Sequence, residues 1–309
     1  MTFQQLEYIV AVDKYRHFVN AATACGVTQS TLSTTINKLE QEIDVIIFDR
    51  SKHPIEPTTL GRRIISQANV ILHNSEMLRE LVQNEKDGDK GELRIGMIPS
   101  LAPALYPSFA KQARTMYPHI VTHIFEADAV SVIEKLQKAE LDMAILASSD
   151  VQDSNLLEIE LFTERFLLYV SPSHMLHNRE RVTPQDLQDG EIWTLKEFHD
   201  RYQQLSEVIH RETMHSSMFE TGGISTLISL VDMNGGYTLI PQLYENALSE
   251  SQKRNVRMIM SPKFFRTVSL VIRKDYMRER MLNIVADVIK HVVPEDMINA
   301  RLKKFDITL

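Results

Sequence analysis

The sequence of 309 residues has little cysteine and no long apolar run. Cys25 is the only cysteine, which excludes an intramolecular disulfide and fits a reducing cytoplasm. No stretch approaches the roughly eighteen apolar residues that a membrane-spanning helix needs. Glu7 and Asp13 interrupt the first apolar stretch, which argues against a secretory leader. We therefore expect a cytoplasmic protein without a membrane partner.

The sequence also lacks an excess of basic charge. Its formal net charge is −7, which disfavours binding of a polyanion through general electrostatics. Apolar residues make up 43% and charged residues 24%, ordinary values for a protein with a full core. The length exceeds that of a usual single domain and predicts at least two.

Three short helices are predicted at the amino terminus. Apolar spacing indicates helices over 3–14, Phe18–Cys25 and Gln29–Glu42. Between the last two, Gly26 tolerates the left-handed conformation after a helix, and Thr28 is a good N-cap. This arrangement predicts a helix-turn-helix.

The third helix has two distinct faces. Leu32, Ile36 and Leu39 are spaced to pack on the small Ala21 and Ala22. The other face is polar and is either ordinary solvated surface or a surface that reads base edges and phosphates. Its candidate DNA-binding residues are Thr28, Gln29, Ser30, Thr31, Ser33, Thr34, Asn37 and Lys38.

A predicted wing after the third helix favours DNA binding. Val45–Phe48 is predicted as a strand, residues 49–53 as an exposed turn and Ile55–Pro57 as a return strand. The turn would carry three further DNA-binding candidates to a minor groove or backbone, namely Arg50, Lys52 and His53. Residues 1–60 hold five Lys or Arg against seven Asp or Glu, so we expect few phosphate contacts per subunit.

A long helix is predicted over Thr58–Asn84. It carries a heptad seam of Ile64, Ala68, Ile71, Ser75, Leu78 and Val82. The seam favours dimerisation through paired helices; the alternative is that the helix packs on the second domain of its own chain. Residues 86–91 form a polar, glycine-containing hinge.

Beyond the hinge, predicted strands alternate with predicted helices. The strands are Leu93–Ile98, Ile120–Phe125, Met143–Ala147, Phe166–Val170, Tyr237–Ile240 and Thr267–Ile272, and the helices are 102–116, 129–140, 200–213, 223–233 and 276–291. This alternation predicts a largely parallel sheet covered by helices, long enough for two α/β lobes with a cleft.

Ligands of such sheets bind beyond the carboxyl ends of strands, near helix amino termini. That rule points to Ser100 and Leu101 after the first strand and to Asp128 after the second. Gly222 and Gly223 precede another helix and either expose amides to the cleft or form a plain turn.

The amino-terminal module resembles the LysR-type transcriptional regulators. The resemblance rests on Phe18, Ala21, Ala22, Val27–Ser33, Ile36, Leu39-Glu40, Phe48-Asp49-Arg50 and Thr58–Gly61. It implies a winged helix-turn-helix over 1–60, a linker and dimerisation helix with hinge over 61–90, and a two-lobed effector domain over 91–309 that resembles periplasmic binding proteins. The chain would cross between the lobes near 161–165 and 262–267. Many relatives have Arg where this chain has Thr34.

Three segments of the second domain resemble the OxyR branch of this family, the peroxide sensors. They are Gly96–Pro103, Asp142–Ala147 and Gly235–Pro241. Those sensors carry a His-Cys pair after a short strand and a second Cys nine residues further. Here the strand is Ile192–Leu195, the pair is His199-Asp200, and Ile209 stands nine residues beyond Asp200. Trapping an oxidised thiolate as a disulfide needs two sulfurs, so thiol-based peroxide sensing is not expected.

Three interpretations of Asp200 remain open. It is a fixed negative charge that imitates an oxidised sulfur, a member of an effector pocket with His199, Ser100 and Asp128, or an ordinary aspartate at a helix start. A metal site of His199, Asp200, His210 and His215 is disfavoured, because scattered histidines are more often surface residues. We predict neither metal nor cofactor.

The resemblance and the residues together predict a DNA-binding transcriptional regulator. Its partners would be double-stranded promoter DNA with a near-palindromic site, further copies of itself in a homodimer or homotetramer, a small-molecule effector and RNA polymerase. No nucleophile elbow, phosphate-binding glycine loop or paired metal-ligand motif occurs, so no enzyme is expected. The alternative is a ligand-binding or scaffolding protein that retains the helix-turn-helix for assembly.

Overall fold

The computed structural model describes residues 1–87, 91–151, 153–188, 192–195, 198, 216–219, 223–260 and 264–308. The chain divides into two compact units, one formed by Met1–Lys90 with Ile133–Asp142 and the other by Gly91–Val132 with Met143–Leu309. Among the described residues, no helix is both long and apolar enough to cross a membrane.

The first unit contains the predicted helix-turn-helix. Its elements are α1 (Phe3–Tyr15), α2 (Phe18–Ala24), α3 (Gln29–Glu42), β1 (Phe48–Asp49), β2 (Glu56–Pro57) and α4 (Thr59–Asp87). Gly26 has φ +67°, the left-handed conformation expected between α2 and α3. The Thr28 side chain accepts the Thr31 N–H at the start of α3, as predicted for an N-cap.

The inner face of α3 forms the core of this module. Leu32, Ile36 and Leu39 are fully buried, and Ala21 and Ala22 of α2 belong to the same cluster. Full burial of such a side chain contributes about 1.5–3 kcal/mol relative to exposure, which fixes the rotation of α3 about its axis. The predicted core face is therefore confirmed.

The strand leading into the wing is shorter than predicted. Only Phe48 and Asp49 pair with β2, and Ile46 is 69% exposed. The preceding backbone finds other partners: the N–H groups of Ile47 and Phe48 donate to Glu40 Oε1 at 2.7 and 3.2 Å. The Glu40 carboxylate thus takes the place of a neighbouring strand as the hydrogen-bond acceptor for these two N–H groups. The apolar sequence 45–48 gives no indication of this contact.

The predicted seam of the long helix α4 is covered only in part. Ala68 is buried, Ile64 and Ile71 pack partly on the helix-turn-helix core, and Leu78 is 59% exposed. The buried positions farther along α4 are His73 and Met77, at 6% and 2% exposure. His73 Nε2 lies 3.5 Å from Asp142 Oδ1, in the segment that completes this unit. Part of α4 thus packs on other segments of the first unit, and dimerisation through α4 stays a prediction.

The second unit is built from strands covered by helices. Its strands are β3 (Gly91–Met97), β4 (Ile120–Glu126), β5 (Met143–Ala147), β6 (Leu156–Val170), β7 (Arg181–Val182), β8 (Ile192–Leu195), β9 (Ser216–Phe219), β10 (Tyr237–Pro241), β11 (Val256–Ile259) and β12 (Phe265–Arg273). The helices are α5 (Ala102–Met116), α6 (Ala129–Gln137), α7 (Ile224–Asn234), α8 (Glu250–Lys253) and α9 (Glu279–Val292). The helix predicted over 200–213 lies outside the described residues.

The sheet is mixed rather than largely parallel. The strand order is β4-β3-β5-β12-β6-β10-β8-β9, with β11 pairing to β6 and β7. Strands β3, β4 and β5 run parallel, as do β8, β9 and β10. Strands β6 and β12 run antiparallel to their neighbours. The alternation rule failed there because β6 and β12 pair with strands that are far away in the sequence, and such pairings are not βαβ units.

The long strand β6 belongs to two groups of strands. Its residues up to Arg165 pair with β12, and from Phe166 onward it pairs with β10. The exchange of partners separates a β3-β4-β5-β12 lobe from a β8-β9-β10-β11 lobe, the two-lobed architecture expected. The sequence prediction recognised only the apolar second half of β6, because Glu158, Glu160 and Glu164 make its first half look polar.

Candidate nucleic-acid interface and regulatory-domain cluster

The outer face of α3 is polar and accessible. Thr34, Asn37 and Lys38 are exposed and Ser33 is half-buried. The predicted residues at the amino-terminal end of the helix are also exposed, namely Thr28, Gln29, Ser30 and Thr31. A helix of fourteen residues with its buried face fixed by the core thus presents hydroxyl and amide groups on a rigid element.

The hydroxyl groups at the start of α3 bond to one another. Thr28 Oγ1 lies 3.0 Å from Ser30 Oγ and 2.8 Å from Thr31 Oγ1. It also accepts the Thr31 N–H at 3.2 Å. These bonds order the amino-terminal turn, where orphan amides and the helix dipole favour a phosphate.

The wing residues differ in their surroundings. Lys52 and His53 are exposed, and Lys52 Nζ donates to Glu56 Oε2 at 2.6 Å across the wing. That bond raises the pKa of Lys52 and lowers the pKa of Glu56. A surface pair of this kind is easily exchanged for a phosphate contact, because surface ion pairs contribute little to stability.

Arg50 does not project freely from the wing. Its guanidinium donates to Asn37 Oδ1 and lies 3.0 Å from Glu40 Oε2. It also stands over the Phe18 ring, with Cζ 5.1 Å from the ring centroid. The sequence placed Arg50 towards the DNA, whereas the structure directs its side chain onto α3; its role in DNA contact stays a prediction.

The predicted effector residues of the second unit have separate roles in the structure. Ser100 and Leu101 follow β3 and are buried, at 1% and 0% exposure, rather than open to a cleft. Asp128 is exposed and its carboxylate accepts the Ser131 N–H at 3.0 Å, capping α6. Gly223 is the N-cap of α7. His199, Asp200 and Gly222 lie outside the described residues.

A buried charged cluster surrounds Ser100. Arg266 of β12 donates from Nη1 to Ser100 Oγ at 2.7 Å and from Nε to Glu164 Oε1 at 2.8 Å. The other oxygen of Glu164 accepts the Leu243 N–H at 2.8 Å. The hydrogen bond from Arg266 explains why Ser100 turns inward.

Two aromatic rings flank the Arg266 guanidinium. Its Cζ lies 5.8 Å from the ring centroids of both Phe166 and Phe198. Sequence reasoning missed Arg266 and Glu164. The available signal was a charged residue shortly before each of two predicted apolar strands, namely Glu164 before Phe166 and Arg266 before Thr267.

Comparison with known proteins reveals the family. A family model described as "Bacterial regulatory helix-turn-helix protein, lysR family" matches residues 3–62, and one described as "LysR substrate binding domain" matches residues 86–293. The chain belongs to the LysR family of bacterial transcriptional regulators. It is an OxyR-like, DNA-binding member of that family, and such regulators act as oligomers on promoter DNA.

Curated relatives match over nearly the whole chain. A "Hydrogen peroxide-inducible genes activator" from Haemophilus influenzae is 31% identical over 302 residues, covering 95% of this chain and 99% of that protein. The "DNA-binding transcriptional dual regulator OxyR" of Escherichia coli is 30% identical over 277 residues, covering 88% and 90%.

Among solved structures, a full-length OxyR from Pseudomonas aeruginosa with a cysteine-to-aspartate substitution is 29% identical. It superposes with a TM-score of 0.81 over 97% of this chain and 98% of the other. Both the winged helix-turn-helix and the two-lobed domain of this chain therefore have counterparts in that regulator.

The single cysteine of this LysR-type chain lies in the DNA-binding module. Cys25 is the C-cap of α2, is half-buried and packs against the helix-turn-helix core. Burial and the nearby Glu7 raise the pKa of its thiol. A raised pKa lowers the thiolate fraction at neutral pH, so Cys25 is chemically suited to packing and not to rapid oxidation.

Proposed function

We propose that this LysR-type regulator controls transcription without sensing peroxide through thiol chemistry. The observation that carries the proposal is the number of thiols. The chain has one cysteine, and that residue packs on the core of the DNA-binding module. A reversible disulfide switch needs two sulfurs within reach of each other. The named relatives are hydrogen peroxide-inducible gene activators, so the signal to which this chain responds would differ from theirs.

The DNA-reading surface is proposed to be the exposed face of α3 with the wing. Lys38, Lys52 and His53 would contact the backbone or minor groove, and the hydroxyl and amide groups of α3 would enter the major groove. Two copies related by a two-fold axis would read a near-palindromic site as a homodimer or as part of a homotetramer. We further propose a cytoplasmic location and no catalytic activity of its own.

The second unit is proposed to transmit the signal. An effector would act near the Ser100–Arg266–Glu164 cluster, where a strand end, a helix start and a buried cation come together. For Asp200, which lies outside the described residues, the three interpretations stay open: a fixed negative charge that imitates an oxidised sulfur, a member of an effector pocket, or an ordinary aspartate at a helix start. The structure of an OxyR bearing a cysteine-to-aspartate substitution indicates that the fold accepts an aspartate in place of a cysteine.

Peroxide treatment tests the proposal directly. Purified full-length protein should bind its DNA site with the same affinity before and after hydrogen peroxide, and a Cys25→Ser variant should behave alike. A change in affinity that a reductant reverses, and that Cys25→Ser abolishes, would overturn the redox part of the proposal. Footprinting on genomic fragments tests the rest, since a regulator should protect phased half-sites and a scaffold should protect none.

A further inference from the structure

The side chain of Arg50 is held on α3, the proposed DNA-reading helix, by several contacts. Its Nη2 donates to Asn37 Oδ1 and to Glu40 Oε2, the latter at 3.0 Å. Its Nη1 lies 3.5 Å from Ser33 Oγ. The three partners occupy one side of α3, so a wing residue and the helix face form a single hydrogen-bonded group.

Glu40 holds Arg50 in this position. Its side chain is only 12% exposed, and its Oε1 accepts the backbone N–H groups of Ile47 and Phe48. The carboxylate therefore cannot follow Arg50 away from the helix without abandoning two backbone donors. Buried backbone N–H groups that lose their acceptor are costly, which keeps Oε2 available to Arg50. Phe18 adds a cation–π contact below the guanidinium.

The arginine determines which end of the Asn37 amide faces outward. A guanidinium has five N–H donors and no acceptor, so only the Oδ1 end of an amide can face it. The Nδ2 group of Asn37 is consequently the end left to face a ligand, and it only donates. The longer contact at Ser33 is similar, because the Ser33 oxygen also faces an N–H donor of Arg50.

We propose that Arg50 determines which hydrogen-bonding groups the exposed face of α3 presents, so that Asn37 contacts DNA as a donor only. The inference rests on the proposed DNA-reading role of α3. The partner of Asn37 is then an acceptor, either a purine N7 in the major groove or a phosphate oxygen. The bidentate contact that asparagine often makes with adenine is disfavoured, because it needs Oδ1, which already accepts from Arg50, to accept from the adenine amino group as well.

Nucleotide analogues test this with the unaltered protein. The full-length chain first selects its preferred duplex from a random library. Each purine of that site is then replaced by its 7-deaza analogue, each adenine by purine riboside, which lacks the amino group, and each phosphate by a methylphosphonate. We expect Asn37→Ala to remove the effect of one 7-deaza or methylphosphonate replacement, worth about two- to tenfold in Kd, the contribution of one hydrogen bond. Purine riboside should have no effect that depends on Asn37.

A second variant tests the role of Arg50 itself. Arg50→Met keeps the length of the side chain and releases the Asn37 amide, which can then rotate. This variant should gain affinity for adenine at the Asn37 position and acquire sensitivity to purine riboside there. Gln4→Glu on α1 is a control for altered charge in the module and should leave the pattern of analogue effects unchanged. Circular dichroism establishes that each variant is folded.

The outcomes separate this inference from the proposed function. If the chain selects no duplex, the proposed function fails and the inference fails with it. If it selects a duplex and purine riboside weakens binding in a manner abolished by Asn37→Ala, Asn37 reads adenine with both ends and the inference alone is overturned. If no analogue effect depends on Asn37, it donates neither to a purine N7 nor to a phosphate, and the inference is likewise overturned.

Discussion

Arg266 and Glu164 illustrate what a buried charge requires of its surroundings. Their side chains are 4% and 0% exposed, and the ion pair between them measures 2.8 Å. The Leu243 N–H and the Ser100 hydroxyl occupy further bonding positions of the pair. Such a buried ion pair adds little net stability. Removing one of its two charges nevertheless leaves the other charge buried and uncompensated, which is costly.

We therefore expect Glu164→Gln to lower the free energy of unfolding by about 3–5 kcal/mol, the cost of leaving one buried charge uncompensated. Urea denaturation followed by circular dichroism measures the change. The double variant Glu164→Leu with Arg266→Met should recover most of the loss, because no charge remains buried. Glu250→Gln breaks the exposed pair with Lys253 and is a matched control, expected to leave the free energy of unfolding almost unchanged. Equal losses for Glu164→Gln and the control would contradict the assignment.

At the level of elements, Gly61 explains how closely α4 approaches Ile47, the residue that precedes β1. A Cβ built on Gly61 would stand 2.1 Å from the carbonyl oxygen of Ile47. The Ile47 carbonyl also accepts the Thr58 N–H at 2.9 Å, so neither backbone can withdraw without breaking that bond. Only a residue without a side chain fits at this contact.

Gly61→Ala should therefore destabilise the DNA-binding module by about 1–3 kcal/mol, the usual cost of overpacking. Thermal unfolding monitored by circular dichroism gives the change. Gly223→Ala is the matched control, since its Cβ would meet the flexible Ser225 side chain at an ordinary 3.6 Å. The explanation is wrong if both alanine variants unfold at the same temperature as the parent.

The Asp128 carboxylate caps the start of α6, and its contribution to stability should depend on pH. Hydrogen bonds from the Ser131 hydroxyl and N–H lower the pKa of its carboxyl group. A carboxyl group whose pKa is lowered on folding stabilises the folded state above its unfolded pKa of about 3.9. That contribution is lost as the pH falls through the folded pKa.

Replacing Asp128 with Asn should remove a contribution of about 0.3–1 kcal/mol at pH 6, the range for an exposed carboxylate at a helix amino terminus. The difference between variant and parent should shrink as the pH falls below about 4. Denaturation at several pH values measures it, and an NMR titration of the Asp128 carboxyl group gives its pKa. A difference that stays constant from pH 6 to pH 3 would show that ionisation plays no part.

Local patterns predicted the elements whose stability is local. The spacing of Leu32, Ile36 and Leu39 gave the buried face of α3, and Gly26 with Thr28 gave the turn before it. The helix over 102–116 has the bounds expected. These features depend on helix period and capping, which neighbouring residues in the sequence determine.

Long-range partners explain the features that were missed. The inward turn of Ser100 depends on Arg266, which is 166 positions further along the chain. The turn of Arg50 onto α3 depends on Asn37 and Glu40. Strand direction in β6 and β12 depends on a partner that no local pattern specifies. The candidate DNA-reading residues could be found as a polar helix face, but which hydrogen-bonding groups that face presents could not be predicted.

For the whole molecule, the charge of the DNA-binding module limits how strongly one subunit can bind. Of the five basic residues in 1–60, Arg16, Arg50 and Lys52 form ion pairs with Asp13, Glu40 and Glu56. Lys14 and Lys38 have no ion pair among the described residues, and Arg62 and Arg63 follow at the start of α4. A subunit thus offers about two to four cations to phosphates, and log Kd should change with log salt by about 0.9 per phosphate neutralised.

A half-site duplex should therefore show a slope of roughly 2–4, and a complete two-half-site duplex about twice that value. Affinity for the complete site should exceed that for the half-site by more than a hundredfold at low salt, because the second contact becomes intramolecular once the first has formed. Fluorescence anisotropy over a series of KCl concentrations measures both quantities with the full-length chain. A half-site slope as steep as that of the complete site would mean that one subunit supplies the phosphate contacts alone. In that case assembly would serve regulation more than affinity.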